Sequence, residues 1–165
     1  MLIDILGRKA IIEYSKKPHI EQSIVISISD LQGEAPHLLR SQCNGIIDQL
    51  KVNFDDVEVE GLRCISNEKA DTIAIFVYKY QTVVEKIIVN CEAGISRSAG
   101  VAAAIMKHIN GDDWDIFNNH KYCPSIMCYR KMLYAFNDTI DETLIFEKIR
   151  INRELWDKRW QSQGS

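Results

Sequence analysis

Cys91 ends the short apolar run KIIVN (86–90), and Arg97 follows it six positions later, with Gly94 and Ser96 between them and Ser98 directly after. A loop that leads from a strand into the start of a helix can turn several backbone N–H groups inward. Those groups and the positive end of the helix dipole together make an anion site. Gly94 lets such a loop curl without a Cβ clash. Arg97, in the opening helical turn, can fork onto two oxygens of a phosphate group. A thiol held in that field ionises more readily than a free one, and the thiolate is the nucleophile. Cys91 is therefore the candidate nucleophile. Glu92, Ala93, Gly94, Ile95, Ser96 and Arg97 are the candidate substrate-binding loop, and the Ser98 hydroxyl is placed to hydrogen-bond the sulfur when it leaves. Taken singly, Cys91 would be a small buried hydrophobe, Arg97 a surface ion-pair partner and Ser98 a helix cap; the spacing behind an apolar strand changes those readings.

Such a loop needs a sheet to carry it. KIIVN is almost wholly apolar, as a strand covered on both faces in a parallel sheet must be. QSIVISISD (22–30) alternates, is rich in β-branched residues and predicts a strand ending at Asp30. Gly33 and Pro36 then break the pattern, and a short helix is expected within 37–48. LKVNF (50–54) sets Leu50, Val52 and Phe54 on one face of a further strand, which stops at Asp55 and Asp56. Ser66 caps an expected helix over 67–84 with Ala70, Ile73, Ala74, Val77 and Tyr78 on one face. AGVAAAIMKHIN reads as a buried helix stopped by Gly111. Residues 112–137 are helical in pieces around Pro124, about 139–161 form a terminal helix packed by Trp156 and Trp160, and the closing QSQGS is expected to be disordered. The first 15 residues show no clear period. Strands alternate with helices, so the expected class is α/β with a mainly parallel sheet.

The 165 residues suit one domain, 1–165, with 46% hydrophobic and 26% charged residues. The net charge of -3 weighs against nucleic acid as a partner. Five cysteines, irregularly spaced and without a CxxC pair, suggest neither disulfide framework nor zinc site. His19, His37, His108 and His120 lack metal-ligand spacing, so no metal or other cofactor is expected. Cys43, Cys64, Cys123 and Cys128 read as packing residues. No apolar run approaches a membrane span and no signal peptide is evident, so a cytoplasmic location is expected.

CEAGISRSAGVAAA (91–104) resembles the signature loop of the protein-tyrosine and dual-specificity phosphatases, close to a compact bacterial and archaeal branch. VISISD and Phe54-Asp55-Asp56 resemble the same branch, and the likeness covers roughly 22–137. It implies a phosphotyrosine-phosphatase-like fold, a central sheet of about four to five strands flanked by helices. It also implies a phosphorylated protein or peptide as substrate, phosphotyrosine and also phosphoserine or phosphothreonine, and a phosphocysteine on Cys91. A separate aspartate would protonate the leaving oxygen: Asp56, which continues the alternation of Leu50, Val52 and Phe54, then Asp55, then Asp30. Asn90 stands where the family usually has His and can donate hydrogen bonds but carries no charge. Glu92, Ala93 and Ile95 supply no basic residue, which argues against a polyanionic substrate. Tyr122-Cys123-Pro124-Ser125 falls where relatives often have a Pro-Asn element under the loop. The other class is a phosphate-binding module without turnover, favoured only by Asn90. Sulfurtransferases and small arsenate reductases fit poorly, by loop length and loop position.

Overall fold

The computed structural model describes residues 1–38 and 44–163. Its elements run β1 (Leu2–Gly7), α1 (Arg8–Ser15), β2 (Ser23–Ser29), β3 (Ile46–Asn53), α2 (Asn67–Tyr80), β4 (Lys86–Cys91), α3 (Arg97–Asn110), α4 (Trp114–Phe117), α5 (Ile126–Ala135) and α6 (Glu142–Gln163). The strands form a four-stranded sheet in the order β1-β4-β2-β3, and every pairing is parallel. β4 lies inside the sheet, with Ile87, Ile88 and Val89 all at zero exposure, so both of its faces are covered. Each of those side chains contributes about 1.5–3 kcal/mol by leaving water.

The period of two along the strands separates two cores. Ile24, Ile26 and Ile28 of β2, Val52 of β3 and Val89 and Cys91 of β4 face α2, α3 and α5. Val25 and Ile88 face the other way and pack with Ile11 of α1, Leu38 and Ile46. Because all strands are parallel, Gly7, Asp30, Phe54 and Cys91 come to the same carboxyl edge of the sheet, the edge at which open α/β sheets bind ligands.

The first 15 residues form β1 and α1. β1 is an edge strand, with Ile3 and Ile5 packed on the larger core and Leu6 on the smaller. The expected helix over 37–48 does not extend through 46–48, which start β3; residues 39–43, including Cys43, lie outside the described residues. Ser66 caps α2, accepting from the Lys69 N–H, but the helix ends at Tyr80 and Val84 is buried beyond it. Ala70, Ile73, Ala74 and Val77 face inward, whereas Tyr78 is 43% exposed and meets the rings of His108 and Phe136 edge-on. Gly111 ends α3 with φ of 78°. α6 starts at Glu142 and runs through Gln163, so the first part of the tail expected to be disordered is helical. Cys64 and Cys128 are buried, but Cys123 is exposed rather than a packing residue. Among the described residues no helix is long and apolar enough to cross a membrane.

α6 is held by a buried charge. Lys148 donates to Asp113, which also accepts from Tyr129 Oη at 2.5 Å, and the ammonium lies 5.3 Å from the ring centres of both Trp114 and Phe117. Burial, and then the hydrogen bond to Asp113, hold the Tyr129 hydroxyl far above its usual pKa, so it stays a donor. Lys148→Ala leaves Asp113 buried without its cation and is expected to remove about 3–5 kcal/mol of stability, read from the urea midpoint at unchanged slope. A loss below about 1 kcal/mol would mean that apolar contact alone holds α6.

Candidate functional site

The 91–97 loop is built by fastening its carbonyl groups from outside. Glu92 O accepts from Arg8 N at 3.0 Å, Ile95 O from Cys123 N at 3.0 Å, and Ser96 O from Gly100 N at 2.9 Å and Ser125 N at 3.1 Å. In a trans peptide the C=O and the following N–H point in opposite directions. The N–H groups of Ala93, Ser96 and Arg97 are thereby turned away from the elements that fasten the loop. Gly94 N–H donates to Cys91 Sγ at 3.3 Å, and Ser98 Oγ lies 3.1 Å from the same sulfur. Cys91 is buried at 3% exposure and sits at the foot of the 14-residue helix α3, whose dipole favours negative charge there.

Gly94 has φ of 72° and presses on β1: a Cβ there would lie 2.5 Å from Gly7 N and 2.6 Å from Leu6 C. A Cβ on Gly100 would lie 2.3 Å from Ser125 O, so α3 and α5 approach as only a glycine allows. Ser96, not Ser98, is the N-cap of α3, and its side chain makes no capping bond.

Arg97 is buried at 5% exposure and stretched between the ends of β2 and β3. Its Nη1 donates to Phe54 O at 2.8 Å and pairs with Asp30 Oδ1 at 2.7 Å. Its Nε–H is buried without a partner among the described residues. Asp30, read from the sequence as a third proton-donor candidate, is thus the counter-ion of Arg97. Asp56 lies over the loop, with Oδ1 accepting from Ser96 Oγ at 2.8 Å. Asp55 turns elsewhere: Leu31 N–H donates to it at 3.1 Å and Arg63 Nε at 2.6 Å. The Leu31 N–H first, and then Arg63, hold its carboxyl below the usual range. An acid so readily ionised is a poor proton donor near neutral pH. A cleft of about 900 Å3 opens here, lined by Asp30, Leu31, Gln32, Gly33, Asp55 and Arg63, with Asp56 at its border.

Glu58 has no prominence in the sequence beyond its place two residues after Asp56. Its Oε2 accepts the Met127 N–H at 3.0 Å, beside Ser125 Oγ, which accepts the Cys128 N–H at 3.3 Å. Glu60 reaches Lys131 at 2.8 Å. The segment carrying Asp56 is therefore pinned to the same end of α5 that braces the loop. Gly7 and Arg8 carry no signal in the sequence either, because the period of β1 is weak and no capping side chain marks the start of α1. Glu92 and Ala93 are exposed, and Glu92 lies 3.7 Å from Arg8. Asn90 points to the opposite face from Cys91. Its Oδ1 accepts from Ser27 Oγ at 2.7 Å, and Gln49 Nε2 donates to Ser27 Oγ and to Pro36 O. Asn90 Nδ2 is buried without a partner among the described residues.

Gly94→Ala meets both a left-handed backbone and a backbone collision. It is expected to destabilise the fold by about 1–3 kcal/mol, with faster hydrogen exchange at Leu6 and Gly7. An unchanged melting temperature would show that the loop does not rest on β1.

No family model and no curated protein sequence matches the chain. Solved structures do. A human tyrosine phosphatase-like serine/threonine/tyrosine-interacting protein superimposes with a TM-score of 0.54 at 15% identity, over 80% of this chain and 89% of that one. Human DUSP28 gives 0.49 at 13% identity over 95% and 94%, and Tk-PTP in its active form 0.40 at 11% over 94% and 88%. With an all-parallel four-stranded sheet, helices on both faces and a Cys-to-Arg loop at its carboxyl edge, the chain has the fold of the protein-tyrosine and dual-specificity phosphatases.

Proposed function

We propose that this chain is a phosphomonoester hydrolase acting on phosphotyrosine in proteins, and also on phosphoserine and phosphothreonine, through a phosphocysteine intermediate. The observation that carries the reading is the buried Nε–H of Arg97, unpartnered among the described residues, beside a loop whose Glu92, Ile95 and Ser96 carbonyls are fastened outward. A buried donor left open is stabilised when an anion enters.

In the first step the Cys91 sulfur attacks phosphorus in line, the S–P bond forms and the P–O bond to the substrate breaks. Asp56 gives its proton to the leaving oxygen. Ser96 Oγ occupies Asp56 Oδ1, so Oδ2 carries the proton. In the second step Asp56 takes a proton from water, the water oxygen attacks phosphorus, and the S–P bond breaks with its electrons returning to sulfur. Ser98 Oγ, 3.1 Å away, donates to that sulfur as it leaves. Arg97 and the loop N–H groups hold the equatorial oxygens throughout, and Asp30 keeps the guanidinium in place. Phosphoryl transfer needs little more than such positioning and charge stabilisation.

The second reading is a phosphate-binding module without turnover. Asn90 favours it, since a neutral amide brings no positive charge to the thiol. One structural neighbour is likewise described as phosphatase-like. Hydrolysis of para-nitrophenyl and phenyl phosphate, with EDTA and without added metal, separates the two. Turnover is expected in the wild type and none in Cys91→Ser. Asp56→Asn is expected to lower the rate about 10²-fold or more on phenyl phosphate, with a much smaller loss on the better leaving group. A silent Asp56→Asn would remove Asp56 from the acid role. An inactive wild type that still binds vanadate would establish the binding module.

A further inference from the structure

A second hollow starts at the loop and leads away from the acidic cleft. It is a groove of about 650 Å3 that has Asp56 and Ser96 at one end and runs between the 123–126 segment and α6. Its walls include Phe117, Pro124, Ile126, Phe146, Ile149 and Trp156. α6 supplies the outer wall with a second stripe. Ile145, Lys148 and Asn152 face the core and are buried. Phe146, Ile149, Arg153 and Trp156, also at helical spacing, line the groove, and Phe146 is 64% exposed. A lone exposed Phe needs no explanation, but an apolar stripe that continues into a reactive loop does.

We propose that this groove is a substrate subsite, taking a large apolar or aromatic side chain within about three residues of the phosphorylated one in a peptide. The inference rests on the phosphatase reading above. Ser96 belongs both to the loop and to the groove, so a chain whose phosphate sits in the loop must lie along the groove or the opposite cleft. Three extended residues span roughly 10 Å. The two sides of Asp56 differ, with Phe117, Ile126, Phe146, Ile149 and Trp156 among the walls on one and Asp30, Asp55 and Arg63 on the other, so the site discriminates the direction of the peptide. Around the groove the carboxylates of Asp56, Glu58 and Asp157 stand against Arg153 and Arg130, the latter already paired with Glu142; this mixed set, with Glu92 on the loop, is not the cluster of Lys and Arg that an anionic lipid surface selects.

The test is kcat/KM on phosphotyrosine peptides identical except for Phe or Ser at each of the three positions on either side. Wild type, Phe146→Ala and Trp156→Ala are compared, with para-nitrophenyl phosphate as a substrate that cannot reach the groove. The wild type is expected to favour Phe at one or more positions on one side by about tenfold or more. Each variant is expected to lose most of that preference while keeping its rate on para-nitrophenyl phosphate. No preference at any position, or one that survives both substitutions, overturns the proposal. So does a short-chain phospholipid hydrolysed faster than every peptide and slowed by Phe146→Ala, since the groove would then take an acyl chain. Binding of the same peptides to Cys91→Ser, read by fluorescence anisotropy, decides the question even if the wild type proves inactive, which separates failure of the subsite from failure of the phosphatase reading.

Discussion

A loop that gathers N–H groups around an anion must send its carbonyls somewhere, and each one left bare in a buried place costs about 1–3 kcal/mol. Here the start of α1 takes Glu92 O, while the segment leading into α5 takes Ile95 O and Ser96 O. That need governs much of the rest. β1 has to end beside the loop, which requires Gly94 and Gly7 to meet backbone to backbone. α5 has to begin beside it, which requires Gly100 where α3 passes Ser125. Elements far apart in sequence are thus committed to one place by the hydrogen bonds of a single turn.

The parts legible in the sequence were those whose signal is local. β4, the loop and α3 follow one another without interruption, with an apolar strand, a glycine for the curl and Gly111 for the stop. β2 alternates and Ser66 caps. β1 was not legible because it is an edge strand whose apolar residues are divided between two cores, with the half-exposed Asp4 between Ile3 and Ile5. The first half of β3 was hidden by Asp48 and Gln49, whose polarity argues against a strand. The fold spends them on partners from other elements: Tyr80 Oη donates to Asp48, and Gln49 donates to Ser27 and Pro36. The loop residues could be named, but the choice among the aspartates depends on contacts across 24 to 67 positions. Asp30 meets Arg97, Asp55 meets Leu31, and Asp56 meets Ser96.

Asn90 belongs to the same logic on the other face of the sheet. It lies beside Cys91 in the chain, but the pleat sends it to the opposite face and into a polar row with Ser27 and Gln49. The row crosses β4, β2 and β3, joining the strand that ends in Cys91 to the strands that lead into Asp30 and Asp56. A buried polar row of this kind resists slippage between strands, since a shift of one residue would turn each member into the opposite core.

The ion pair under α6 acts on orientation more than on strength. A buried Lys–Asp pair is often no more stabilising than apolar residues of similar volume. An apolar side chain at 148 would, however, tolerate rotation of the helix about its axis. Lys148 does not, because its ammonium must meet Asp113 and the faces of Trp114, Phe117 and Tyr129 together. Asn152, one turn further on, donates to Phe117 O at 2.9 Å and Tyr122 O at 3.1 Å and fixes the same angle. With the inner stripe fixed, the second stripe of α6 has only one direction to face, and Phe146 and Trp156 border the groove that begins at Ser96. A charged cluster in the core thereby shapes the surface beside the loop.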